Sequence, residues 1–337
     1  MHNSTRGAIN WSEVVWITAI ISLGMLAQLW LQLSVTAYFA LFPVIAATKV
    51  SNYSLQGLLA ALLPTLLIAC VALLVNQLFA AHPFVIWTIS LLVFDLLRRW
   101  CDTPAKLGRM FIPLLNWFLV IVFSQQSGLA MTDWVRDMAV SLVTTIVIVR
   151  FVMLFIAPPK ASAPPPMSAV PVNYRERLTF VIMLGIGLAF LMMVELTAST
   201  FCMMPVIVAA GQSQRENYKM VIRGCLQAHV GGCAVAMIFV SLLAGQHDYN
   251  LVYILALTAL VATIATWISG SRGSVRALHS DAMLGTMLPL QLYVSTSDLG
   301  LQDAYFRGEL MLIVLALLVV CQGIIYGKST SLINHRG

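Results

Sequence analysis

The chain has 337 residues, of which 60% are hydrophobic and only 9% charged, with a formal charge of +6 and a pI near 9.1. Soluble domains carry roughly 25% charged residues, so no water-soluble fold can hide this much apolar surface, and the mean hydropathy of +0.90 makes lipid the expected solvent. Nucleic acid is not the expected partner, because the basic residues follow the ends of the apolar runs instead of forming a patch or a tail.

Residues 1–13 are polar, and the apolar run after them continues to Ala47, too long for a signal-peptide core. Crossing a bilayer takes about 20 apolar residues per helix. Apolar runs between polar or Gly/Pro breaks predict helices over 14–31, 34–48, 55–79, 84–97, 107–123 and 134–156. A second set follows over 178–196, 198–210, 220–243, 251–269, 279–294 and 305–326. Between them lie Pro158, Pro159, Pro164, Pro165, Pro166 and Pro171, which cannot continue a helix and predict an extended linker. The expected fold is an all-α polytopic membrane protein of about twelve transmembrane helices. It divides into an N-terminal six-helix repeat over 1–157, a Pro-rich linker over 158–177 and a C-terminal six-helix repeat over 178–337.

In this topology Lys49, Arg98, Arg99, Lys106, Arg109, Arg175, Arg177, Arg215, Lys219, Arg272 and Arg276 fall on one side, and only Arg136 and Arg307 fall clearly opposite. By the positive-inside rule, both termini and the linker are cytoplasmic, and the expected location is a bacterial inner membrane. The cysteines, Cys70, Cys101, Cys202, Cys225, Cys233 and Cys321, lie mostly inside apolar runs without the spacing of a zinc site or a disulfide framework.

The two halves echo each other. Phe42, Pro43, Val44 and Ile45, followed by Asn52 and Tyr53, correspond to Met204, Pro205, Val206 and Ile207, followed by Asn217 and Tyr218; His82 corresponds to His247, Pro113-Leu114 to Pro289-Leu290, and Arg136 to Arg307. An even number of helices per copy gives both copies the same orientation, related by a pseudo-two-fold axis along the membrane normal. The second helix of each copy is short and carries a proline, Pro43 or Pro205. A proline frees a backbone carbonyl, and paired interrupted segments point to a transporter's site; the alternative is a pair of kinked spanning helices with no substrate role.

Gly224, Ala228, Gly232 and Ala236 form a small-residue stripe for helix packing, as do Gly57, Ala61, Thr65 and Ala69. Cys225, His229 and Cys233 are four apart on a neighbouring face, but ligands stacked along one helix cannot close a tetrahedral site, and no metal or other cofactor is expected. His229 is either a proton carrier or substrate contact, or a neutral histidine bonded to a carbonyl. Glu195 either carries a proton or is wetted at the interface. Arg150 and Arg223 either attract an anion from the cytoplasm or snorkel to headgroups, and Gln28 and Gln32 either line a polar path or bond a neighbouring helix. Asp95 and Asp281 are expected to pair at the surface with Arg98, Arg99 and Arg276. The chain contains no nucleophile elbow, phosphate loop or zinc-protease signature, and it is not expected to be an enzyme.

A short helix ending at a proline, a polar turn, then a helix opening with small residues resembles the fusaric acid resistance and aromatic acid exporter superfamily. The second half carries the pattern most fully: Met204, Pro205, Val206 and Ile207, the turn Gln214, Arg215 and Glu216, then Arg223 and Gly224 with Gly231 and Gly232 deeper in the helix. The first half has Leu58 and Leu59 where the arginine and glycine would fall. Typical members carry large cytoplasmic domains that are missing here, so the resemblance is to a compact relative. It implies an inner-membrane efflux transporter for aromatic or other organic acids or amphipathic toxic compounds, partnered by a periplasmic membrane fusion protein. Coupling to the proton gradient and assembly as a homo-oligomer are the accompanying expectations. A passive anion channel, a membrane-embedded enzyme and a scaffold of a membrane complex remain the alternatives.

Overall fold

The computed structural model describes residues 8–31, 33–126, 131–159, 172–194, 197–243, 250–293 and 301–326, and among these the secondary structure is helical with no strand. In order the helices are α1 (Trp11–Leu31), α2 (Tyr38–Thr48), α3 (Leu55–Phe79), α4 (Pro83–Trp100), α5 (Pro104–Gln126), α6 (Met131–Val152) and α7 (Tyr174–Met193), then α8 (Met203–Ala210), α9 (Arg215–Cys225), α10 (Gly231–Leu242), α11 (Asn250–Ser269), α12 (Gly273–Tyr293) and α13 (Leu301–Tyr326). A 3-10 turn, Thr197–Cys202, leads into α8, and a π turn, Leu226–Val230, joins α9 to α10 in one continuous helix. Every predicted apolar run overlaps a helix, though 34–48 begins in non-helical backbone and 134–156 runs past the end of α6. Glu195, Gln32, His247 and most of the linker lie outside the described residues.

Local chemistry sets several ends. Pro83 and Pro104 open α4 and α5, where the missing N–H costs nothing. Asn173 caps α7 by accepting the Arg175 N–H, with Glu176 in the first turn. Gly273 takes a φ of 58°, the left-handed value that turns the chain from α11 into α12.

Among the described residues seven helices are long and apolar enough to cross a membrane: α1, α3, α5, α7, the continuous α9–α10, α11 and α13. Helices α2 and α8 are shorter, at 11 and 8 residues. Helix α4 carries Asp95, Arg98 and Arg99, and α6 carries Asp133, Arg136, Asp137 and Arg150. Surface chemistry is inverted relative to a water-soluble protein. Leu178, Ile182, Ile186 and Phe190 form an exposed apolar stripe on α7, and Val143, Val147 and Phe151 form another on α6. Inside lie Ser90, Asn116, Asp137, Ser141 and Thr145, each with at most 1% exposure. An apolar exterior, with polar groups buried among a mostly apolar core, is consistent with a multi-pass membrane protein, because lipid removes the penalty for exposing aliphatic side chains.

The chain forms two compact units, and neither coincides with a sequence half. The first contains 1–66, 132–165 and 227–308; the second contains 67–131, 166–226 and 309–337. In the first unit α1 packs against α2 and α11, and α12 packs against α2, α10 and α11. In the second, α7 packs against α4 and α8, and α5 packs against α8.

The two small-residue stripes fare differently. On α10, Gly232 meets the backbone of Gly285 in α12, and a Cβ on either glycine would collide with the other helix's backbone. On α3 the buried seam is instead Leu58, Leu62, Thr65, Ala69, Ala72 and Asn76, with Gly57 and Ala61 only half-buried. A Cβ on Gly57 would strike Asn52, so this glycine serves the turn before α3 and not a helix crossing.

Candidate functional site

Between α1 and α2 the backbone leaves the helix around Ser34, Val35 and Thr36. Ser and Thr favour local hydrogen bonds over helix, and β-branched Val35 and Thr36 add little helix propensity. The N–H groups exposed by this break are satisfied from a distant helix. Asp137, in α6 of the same unit and 0% exposed, accepts the Ser34 N–H at 3.0 Å and the Val35 N–H at 3.2 Å through Oδ2. Its Oδ1 accepts from Arg136 at 3.1 and 2.9 Å, and Arg136 also reaches Asp133 at 2.9 Å.

The rest of the break is held by polar contacts from the same unit. The Thr36 hydroxyl donates to the Gln291 carbonyl at 2.8 Å, and the Gln291 amide donates to Gln28 at 3.3 Å. Trp134 donates to the Tyr38 hydroxyl at 2.9 Å, with the two rings edge-on at 6.0 Å. The α1 end, the break, the start of α6 and the end of α12 are thus tied through side chains, with Gln28 bonded to α12.

His229 lies in the π turn, buried, where the widened backbone passes over Gly285 of α12. Single π turns inside α-helices mark functional positions more often than ordinary turns do. Asp281, Arg307 and Lys49 are the charged groups that act on it electrostatically. Cys225 and Cys233 flank it and are buried too, yet the described residues contain no cluster of three ligands able to hold a metal.

The remaining candidates are dispersed. Pro43 is buried in the middle of α2, with its ring against Gly24 of α1. Pro205 is buried in the first turn of α8, after the 3-10 turn, where no intrahelical N–H bond is due. The expectation that both prolines free a carbonyl in the same way is corrected accordingly. Arg150, in the last turn of α6, and Arg223, in the last turn of α9, are exposed and make no ion pair among the described residues.

The expected surface pairs are also corrected. Asp281 pairs with Lys49 at 2.7 Å, while Arg276 pairs with Glu13. Asp95 receives both arms of Arg177, the shortest contact being 2.6 Å, and Arg98 goes to Glu176 at 3.2 Å and to the Cys101 carbonyl at 3.0 Å. Partners come from whichever helix packs alongside, α2 with α12 and α4 with α7, and not from the nearest basic residue in sequence. Burial pushes the Cys101 thiol up, against the pull of Arg98.

In the sequence Arg136 marks topology and matches Arg307 of the second half, while its neighbour Asp137 carries no expected role. A carboxylate directly before the apolar run that starts at Met138 was the available signal. No curated protein and no solved structure matches the chain. Residues 15–152, from within α1 to the last residue of α6 and under half of the chain, match the model of a family described as protein of unknown function (DUF2955), and this match shows no link to the exporter superfamily.

Proposed function

We propose that this chain is an inner-membrane transporter that exports organic anions or amphipathic compounds, built as about twelve spans in two six-helix repeats with both termini in the cytoplasm. The observation that carries the reading is the pair of interrupted segments. Helical backbone breaks off between α1 and α2 and again between α7 and α8, and each break is followed by a short, buried helix with a proline. Irregular backbone at membrane depth survives only where protein or a water-filled path surrounds it, and matched interruptions are the usual construction of a substrate site.

The packing supports duplication. In one unit the first and second helices of the first half pack with the fourth and fifth of the second half; in the other unit the halves exchange these roles. The resemblance to the exporter superfamily supports organic acids as cargo, with a periplasmic adaptor and a homo-oligomer as partners. Proton coupling assigns His229 and Glu195 as proton carriers, with Arg223 and Arg150 drawing anions from the cytoplasm. Cells lacking the protein should accumulate more labelled benzoate than cells that carry it. His229→Ala and Glu195→Gln should each remove the difference without loss of protein from the membrane. Equal accumulation with and without the protein, across a panel of aromatic acids, would reject the reading.

A further inference from the structure

We propose that Asp137 is a latch on the α1–α2 break: its carboxylate holds Ser34 and Val35 in place, and letting go of them is the movement that opens this unit during transport. The inference rests on the transporter reading for its purpose, but not for its geometry.

Three features separate a latch from a static cap. Orphan N–H groups at a helix start are ordinarily capped by a nearby Ser or Thr. The Ser34 and Val35 N–H groups precede the first turn of α2 and are held instead by a carboxylate more than 100 residues along the chain, while Thr36 sends its hydroxyl to Gln291. Burying a carboxylate is a poor way to gain stability, because desolvation offsets the attraction. Finally, Arg136 is shared. Its guanidinium bonds Asp137 and Asp133 at the same 2.9 Å, and the side chain is 57% exposed, so it can release Asp137 and still keep a carboxylate partner. Released from Asp137, Arg136 stays paired with Asp133 through Nη1, so the bonded and the released arrangement both keep the arginine partnered. The matching position in the second half, next to Arg307, is Gly308, so the second half has no equivalent carboxylate there.

The test reads backbone release directly. Val35 is 8% exposed, so a cysteine there should react slowly with a membrane-impermeant maleimide, counted against the parent chain with Val35 intact. In Asp137→Asn, labelling of Val35→Cys should rise about tenfold, the order expected for losing a charge-assisted hydrogen bond. Asp137→Glu should restore slow labelling, and Ala40→Cys, buried on α2, should stay unlabelled throughout. Unchanged labelling in Asp137→Asn, or a parallel rise at Ala40→Cys from general loosening, overturns the proposal. Should Asp137→Asn fail to accumulate, Arg136→Gln is read instead: faster labelling supports the latch and unchanged labelling overturns it. Faster labelling with no effect on any flux would keep the latch and remove transport, whereas altered flux with unchanged labelling would do the reverse.

Discussion

Glycines show how little a residue type says without its surroundings. Leu107-Gly108-Arg109-Met110 in α5 and Leu284-Gly285-Thr286-Met287 in α12 share a pattern, yet Gly108 has open space where a Cβ would go and Gly285 has the backbone of Ala228 and His229. Gly285→Ala should therefore force α10 and α12 apart and lower stability by about 1–3 kcal/mol, as overpacking does. Gly108→Ala should raise stability by up to about 1 kcal/mol from helix propensity alone. Thermal unfolding of the detergent-solubilised variants checks both; equal effects would mean that the crossing at Gly285 is looser than described. The same limit explains why Asp137 was passed over: an acid beside an arginine near a helix start reads as a surface pair until a distant backbone is found against it.

Helix positions were legible because lipid imposes a local rule: about 20 apolar residues in a row, whatever the neighbours. Helix faces were less so. The seam on α3 runs through Leu58, Leu62, Thr65, Ala69, Ala72 and Asn76, a three-four alternation, whereas small-residue spacing pointed to Gly57 and Ala61. Pairing between helices was not legible at all. Helices α4 and α7 are joined by Asp95 with Arg177 and Arg98 with Glu176, and by the Trp87 indole donating to the Gly185 carbonyl at 2.9 Å. Exchanging the first pair tests this contact. Asp95→Arg and Arg177→Asp should each lower the unfolding temperature, and the double exchange should recover most of the loss, since the two-armed geometry survives reversal. Additive losses would place the two side chains apart.

At the scale of the whole molecule the compact units do not follow the sequence halves. Each compact unit draws α-helices from both halves, so a fragment of 1–165 or 166–337 lacks the partners that bury its helices. Expressed alone, each fragment should be degraded; expressed together, they should copurify and unfold as one species. Two separately stable fragments would contradict the interleaving. By itself the sequence determined that the helices are apolar enough for a multi-pass membrane protein, where they lie and where the two short proline helices fall, because transfer free energy sums over neighbouring residues and needs no knowledge of the fold. Only the tertiary structure decided which helices meet, and with that which charges pair and which carboxylate serves the broken backbone. Asp95 and Arg177 stand 82 positions apart and Glu13 and Arg276 stand 263 apart; attraction between side chains depends on distance in space, and composition along the chain carries no record of it.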